Sequence, residues 1–190
     1  MPERKRVFIA INLPKDLKQE LSFYQKKFSQ LPAKWVEPEN LHLTIVFLGH
    51  LYEKEISKVI NGCETISKKH KSFPLTVRKV CYGPLGFFPP RMVWAILKSS
   101  PELTLLKDNI EQELKQIINY KPEEKGFLPH ITLARLKGWE FRNLEWDERV
   151  EIEEEINSEF KVFSFELMES ILRRKGAQYS IIKSFSLLKK

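Results

Sequence analysis

Two stretches of this chain share one pattern: His42-Leu43-Thr44-Ile45 and His130-Ile131-Thr132-Leu133. Each alternates polar with aliphatic residues, which is how a strand covering a core on one side is written, since residues i and i+2 point to the same face. His42 therefore shares a face with Thr44, and His130 with Thr132. The opposite faces carry Leu41, Leu43 and Ile45 in the first stretch and Ile131 and Leu133 in the second. One histidine on a strand is most often packed or solvated. In a chain with four histidines and five threonines, two matched His/Thr pairs point to chemistry.

The surroundings repeat as well. An apolar run opens at Val7 (VFIAINL), Pro14 opens a helical pattern, and His42 follows 28 residues after that proline. A second run opens at Val93 (VWAIL), Pro101 opens a second helix, and His130 follows 29 residues later. Strand, helix and histidine strand in the same order twice imply a duplicated unit. Packing of the copies about an approximate two-fold axis would bring the two His/Thr pairs face to face.

The remaining pattern predicts an α+β fold. Strands are expected over Arg6–Leu13, at Trp35-Val36, from Leu41 to Gly49, over Phe73–Val77, Arg91–Lys98, Lys161–Met168 and Tyr179–Leu188. Helices are expected after Pro14 (Leu17, Leu21, Tyr24, Phe28), over Glu53–His70, and after Pro101 (Leu103, Leu106, Ile110, Leu114, Ile117). The acidic run Glu148, Glu151, Glu153, Glu154, Glu155 reads as a solvated helix face. His50 and His70 are expected to be exposed. No linker or low-complexity tract divides residues 1–190, so we expect a single bilobal domain with a pseudo-two-fold repeat. Two antiparallel sheets would line a central cleft, with the helices outside.

Composition narrows the class. The 190 residues suffice for one good core or two small intimate lobes. No apolar run approaches the ~20 residues of a membrane helix, and the start MPERKRVFIAINL leads straight into a strand without a cleavage signal, so a cytoplasmic monomer without membrane contact is expected. Cys63 and Cys81 lack CxxC spacing, which argues against a zinc site and for reduced thiols. The net charge of +7 favours a polyanionic partner such as RNA.

Imidazole exists both neutral and protonated near pH 7, so two opposed histidines supply one general base and one general acid. Threonine hydroxyls donate hydrogen bonds to phosphate oxygens and stabilise charge there. In-line displacement at phosphorus needs base and acid on opposite sides of the reacting group, as a pseudo-symmetric pair provides. Neither pair has neighbouring carboxylates of metal-site type, so no metal and no cofactor is expected.

The two His-x-Thr-x motifs resemble those of the two-histidine (2H) phosphoesterases. More closely, the chain is similar to the LigT-like RNA 2′,3′-cyclic phosphodiesterases, also called 2′-5′ RNA ligases. The likeness runs through RVFIAINLP, WVEPENLHLTIVFLG, RMVWAIL, FLPHITLARLK and GAQYSIIKSFSL. It implies metal-free opening of a 2′,3′-cyclic phosphate on RNA ends or nucleotides to a 2′-phosphomonoester, and a reverse ligase reaction with a 5′-hydroxyl in place of water. It also implies that His42 is the proton donor to the 3′-oxygen, that His130 is the proton acceptor from water, and that Thr44 and Thr132 hold the phosphate. Symmetry leaves the acid and base roles open in the sequence itself.

Further substrate contacts are expected at Arg135, Arg91, Tyr179 and Phe88. Arg135 matches an arginine that often follows the family's second motif, yet strict alternation points it away from His130, so a strand end or bulge must redirect it. Relatives often carry Lys or Arg four residues after the first histidine, on its face. Here Val46 stands there, and Arg91, the basic turn 173–175 or Tyr179 would have to compensate. Phe87 and Phe88, on a Gly/Pro-rich loop, are placed either to stack on bases or to pack beneath the loop. Two other readings compete: a nucleotide or single-stranded RNA binding module without turnover, and an esterase for small cyclic nucleotides such as ADP-ribose 1″,2″-cyclic phosphate.

Overall fold

In the computed structural model, residues 3–123, 126–173 and 176–189 are described. In chain order the strands are β1 (Arg4–Asn12), β2 (Ala33–Trp35), β3 (His42–Tyr52), β4 (Phe73–Gly83), β5 (Met92–Leu97), β6 (His130–Leu136), β7 (Glu153–Val162), β8 (Ser164–Arg173) and β9 (Gly176–Ser186). The helices are α1 (Lys15–Lys27), α2 (Glu53–Ser67), α3 (Pro101–Ile117) and the short α4 (Gly138–Arg142), with 3₁₀ turns at Pro38–Asn40 and Trp146–Glu148. The strands run β7-β4-β5-β6-β3-β1-β8-β9, with β2 added alongside β6, and all the named pairings are antiparallel.

This sheet has two matching halves. One is ordered β6-β5-β4-β7 and the other β3-β1-β8-β9, each starting from a histidine strand. They meet at the register pair Leu43 and Ile131, both fully buried. The expected two antiparallel sheets are thus joined into one through their histidine strands. The repeat shows in the elements too, since β1, α1 and β3 correspond in order to β5, α3 and β6.

Helix α1 crosses over from one half to the other. Leu17, Leu21 and Tyr24 of α1 enter the core, and the helix ties to β7 through Lys27–Glu154 (2.6 Å) and through Ser158 Oγ, which donates to Glu20. In the other half, α2 reaches β9 through Lys183–Glu64 (3.3 Å). Ser100 caps α3, its Oγ accepting from Leu103 N, and Leu103, Leu106, Ile110 and Leu114 are buried at helical spacing.

Four expectations need correction. The acidic run is no helix: Trp146–Glu148 is a 3₁₀ turn and Glu153–Val162 is β7. Its true period is two, with Phe160 and Val162 buried and Glu153, Glu155, Asn157 and Glu159 exposed. The glutamates supplied charge but no apolar stripe. The strand expected over Lys161–Met168 is the end of one strand and the start of another, broken at Phe163, where the chain passes from one half of the sheet to the other. Gly49 does not end β3: its φ of 75° sits in a register shift against β1, and the strand continues to Tyr52. His70 is buried rather than exposed (7%), and Asn109 Nδ2 donates to its Nε2 at 3.0 Å.

Cys63 and Cys81 are buried free thiols, and burial together with the Glu113 carboxylate pushes Cys63 up to about 12. Among the described residues no helix is long and apolar enough to cross a membrane. The turn at Arg174 and Lys175 lies outside the described residues.

Candidate active site

One face of the sheet packs the main core. The other carries the two histidines over small apolar patches, Phe8, Ala10 and Met168 with Tyr179 on one half and Cys81, Trp94 and Ile96 with Met92 on the other. Alternation explains these platforms: in VFIAIN, Phe8 and Ala10 point opposite to Val7, Ile9 and Ile11, and in MVWAIL, Trp94 and Ile96 point opposite to Val93, Ala95 and Leu97.

Each histidine is fixed in the same way. His42 Nδ1 lies 2.7 Å from the carbonyl of Asn40, and His130 Nδ1 lies 2.8 Å from the carbonyl of Leu128. A carbonyl only accepts, so Nδ1 carries the proton and donates, which leaves Nε2 to take up or release one. The His42 ring meets Tyr179 edge-on (4.9 Å) and Phe8 (5.0 Å), and the His130 ring stacks on Trp94. Both imidazoles, and Thr44 and Thr132 beside them, are half-buried.

Burial lowers both imidazoles from the ordinary histidine value, because an apolar setting disfavours the charged ring. The Asn40 and Leu128 carbonyls act in the opposite direction. Beyond that the two sites differ: Lys18, Arg135 and His130 push His42 further down, whereas the Glu123 carboxylate pulls His130 up. The cationic surroundings thus belong to one histidine of the pair.

A bulge follows each motif. Against β1, Ile45 is an extra residue, so Ile45 and Val46 both turn into the core. Against β5, Leu133 is extra, so Leu133 and Ala134 are both buried. Alternation resumes one residue late, and position +5 arrives on the histidine face. Arg135 is thereby exposed on that face, with its Nη1 3.8 Å from Met92 Sδ. Phe47 takes the matching place after the first motif, 6.3 Å from Phe8. Val46, expected beside His42, lies in the core, so no cation would sit on that face at its position.

The other expected contacts scatter. Tyr179 joins His42. Arg91 leans on the Phe87 ring (5.6 Å), and its carbonyl accepts from Leu136 N beyond Arg135. Phe88 is exposed on the loop between β4 and β5 with the Arg149 guanidinium 5.7 Å from its ring centre, so its neighbour is not a member of the His/Thr set. The sequence reading missed Phe8, Trp94, Lys18 and Lys34. The first two were legible by alternation once β1 and β5 are set beside the histidine strands. Lys34 is the register partner of Arg135 in β2, and no local signal marks it. Glu166, also missed, is buried on the same face and accepts from Asn12 N (3.0 Å) and Ser164 Oγ (2.6 Å). Among the described residues no three His, Cys, Asp or Glu side chains gather in a group that could hold a metal ion.

Comparison with known proteins gives this arrangement a lineage. The family model described as "LigT like Phosphoesterase" matches residues 11–94 and 97–179. The chain is 30% identical over 186 residues to the RNA 2′,3′-cyclic phosphodiesterase of Archaeoglobus fulgidus, covering 95% of this chain and 99% of that one. It is 28% identical over 185 residues to the protein of the same name from Methanocaldococcus jannaschii, covering 95% and 99%. Among solved structures, a protein of Thermus thermophilus superposes with a TM-score of 0.85 at 26% identity, over 97% of this chain and 99% of that one. E. coli LigT complexed with 3′-AMP shares the fold, with a TM-score of 0.78 at 24% identity over 97% and 99%. Two histidine strands, matching bulges and a match spanning both repeats place the chain in the LigT-like phosphoesterase family.

Proposed function

We propose that this chain is a hydrolase that opens 2′,3′-cyclic phosphates on RNA ends or nucleosides to 2′-phosphomonoesters without a metal ion. The observation that carries the reading is the symmetric pinning of His42 and His130 through Nδ1, which presents two Nε2 atoms on one face of the sheet. Water oxygen bonds to phosphorus as the bond to the 3′-oxygen breaks. His130 Nε2 takes the proton from that water, and His42 Nε2–H gives its proton to the 3′-oxygen. Proton exchange with solvent resets the pair. Thr44 and Thr132 donate to the phosphate oxygens, and Arg135 adds a guanidinium suited to phosphate. Tyr179 borders the nucleotide beside His42, while Arg91 and Phe88 act further out.

Run in the same direction with a 5′-hydroxyl in place of water, whose proton His130 takes as the P–O3′ bond breaks, the same steps join RNA ends through a 2′-5′ bond. The chain works as one bilobal unit, a cytoplasmic monomer. Incubation of a nucleoside 2′,3′-cyclic monophosphate in EDTA, with the product followed by phosphorus NMR, tests the reading. A 2′-phosphate is expected. A 3′-phosphate would reverse the assigned leaving oxygen, and an absence of turnover, on RNA ending in cyclic phosphate as well, would leave a binding module.

A further inference from the structure

The face that carries His42 does not end at the histidine. On β1, Phe8, Arg6 and Arg4 follow at every second position, and the register sets Phe47, His50 and Tyr52 of β3 opposite them in that order. The register shift at Leu48 and Gly49 makes this possible, because it returns His50 and Tyr52 to the face of Phe47. Without it the run beyond Phe47 would be out of phase with β1. Arg4, Arg6 and His50 are exposed, and Phe47 is 56% exposed. The Arg4 guanidinium lies 4.3 Å from the Tyr52 ring centre, which occupies its flat face and leaves its N–H edge for an acceptor.

Three features of this ladder point to one kind of ligand. It is cationic and carries no acidic side chain between Arg4 and Phe8 or between Phe47 and Tyr52. It alternates those cations with aromatic rings, the combination that holds single-stranded nucleic acid through phosphates and stacked bases. It is continuous with the candidate site, since Phe8 touches both the His42 ring (5.0 Å) and the Phe47 ring (6.3 Å). By contrast, the aromatic cluster of Phe88 and Trp146 around Arg149 is interleaved with Glu145, Asp147 and Glu148 and suits a polyanion less well.

We infer that the β1/β3 ladder is the path of the RNA strand upstream of the reacting phosphate, with Arg4 and Arg6 on successive phosphates and Phe47 beneath a base. This deepens the cyclic phosphodiesterase reading and rests on it, and it makes the preferred substrate a single-stranded RNA end rather than a free mononucleotide.

The test is fluorescence anisotropy of a 5′-labelled single-stranded hexaribonucleotide with a 3′-phosphate, titrated with the full chain at several salt concentrations. R4E/R6E is expected to raise Kd by about tenfold at low salt, and to flatten the log Kd against log salt slope by about 1.4, the share of two phosphate contacts on a single strand. Phe47→Ala is expected to weaken binding with the slope unchanged. K54E/K58E, on the exposed side of α2, changes the net charge by the same amount and is expected to bind as the parent chain does. Parental Kd and slope in R4E/R6E, or an equal loss in K54E/K58E, would overturn the ladder. Circular dichroism melting of each variant shows whether a loss comes from unfolding. Hydrolysis of a cyclic mononucleotide by the parent chain is read separately, so failure of the hydrolase reading is told apart from failure of the ladder.

Discussion

The Trp94 indole lies stacked on the His130 imidazole, ring centroids 3.9 Å apart and planes 25° from parallel. Its opposite neighbour is Gly83, the register partner of Met92 on the adjacent strand. A Cβ added there would stand 2.2 Å from Trp94 Cδ2. The glycine is what lets the indole lie flat, so a backbone position on β4 sets the tilt of an imidazole on β6.

Gly83→Ala should therefore displace Trp94 and loosen His130. Overpacking of this kind costs roughly 1–3 kcal/mol, readable as a lower melting temperature. As a positioning effect it should also lower kcat more than it raises KM, and return the His130 limb of the pH profile toward the ordinary histidine value as the ring gains water. A variant that melts earlier but keeps the parental pH profile would show that Gly83 serves packing alone.

The pH dependence of turnover should be bell-shaped, requiring one protonated and one neutral histidine. Both free imidazoles are lowered by burial, so the optimum of kcat/KM is expected below about 6.5. A bound phosphodiester is anionic and favours the imidazolium, so the kcat profile should lie at higher pH. Initial rates across pH 4.5–8.5 with a cyclic mononucleotide give both curves.

His42→Ala and His130→Ala should each reduce kcat by about 10²- to 10⁴-fold. Thr44→Ala and Thr132→Ala, which remove a neutral donor, should have milder effects. The histidine losses should not add in the double variant, because acid and base act in one step. Single-turnover rates of the three histidine variants measure this.

Arg135→Ala should raise KM for the cyclic substrate by about tenfold to a hundredfold, the range of a lost charged hydrogen bond. It should also raise the His42 limb of the kcat/KM profile, since its charge holds His42 down. Arg135→Lys should restore the pH limb but only part of the KM, as a lysine lacks the flat fork.

Stability should fall on acidification. His42, His70 and His130 are all lowered in the folded chain, so the unfolded chain binds protons first. Their contribution is complete above about pH 6.5 and is lost as pH drops from there through the folded values. His70 adds a geometric reason, because its Nε2 accepts from Asn109 only when unprotonated. Urea midpoints at pH 7.5 and 5.5 should differ, and the difference should shrink in His70→Gln.

Strand and helix periods wrote most of the fold plainly: the repeat, the three long helices and the pairing of His with Thr follow from alternation and helical spacing. Arg135 marks the limit. Its side of the strand depends on a bulge at Leu133, and nothing in HITLARLK distinguishes a bulged strand from a regular one. The same blindness put Val46 on the wrong face. The glutamates from Glu153 to Glu155 misled for another reason, as their charge masked a period of two that only the pairing with β4 makes visible. Long-range neighbours such as Trp94 under His130 depend on which strands lie side by side, information that no single segment holds.

The exchange of elements between the halves of the sheet has a consequence for how the chain can be divided. The strand bearing His42 is flanked by β1, and β1 in turn by β8, which supplies Glu166 to Asn12 across 154 residues of sequence. The strand bearing His130 leans on β5, and β5 on β4 from the first repeat. Each copy of the ancestral unit is thus completed by sequence belonging to the other. A chain stopped after β7 would keep both motifs and yet lose Met168 and Tyr179, the support on which Phe8 and His42 rest. In such an interlocked polypeptide neither copy alone carries all the strands of its own half of the sheet. With so many of its pairings distant in sequence, it is expected to fold slowly and all at once.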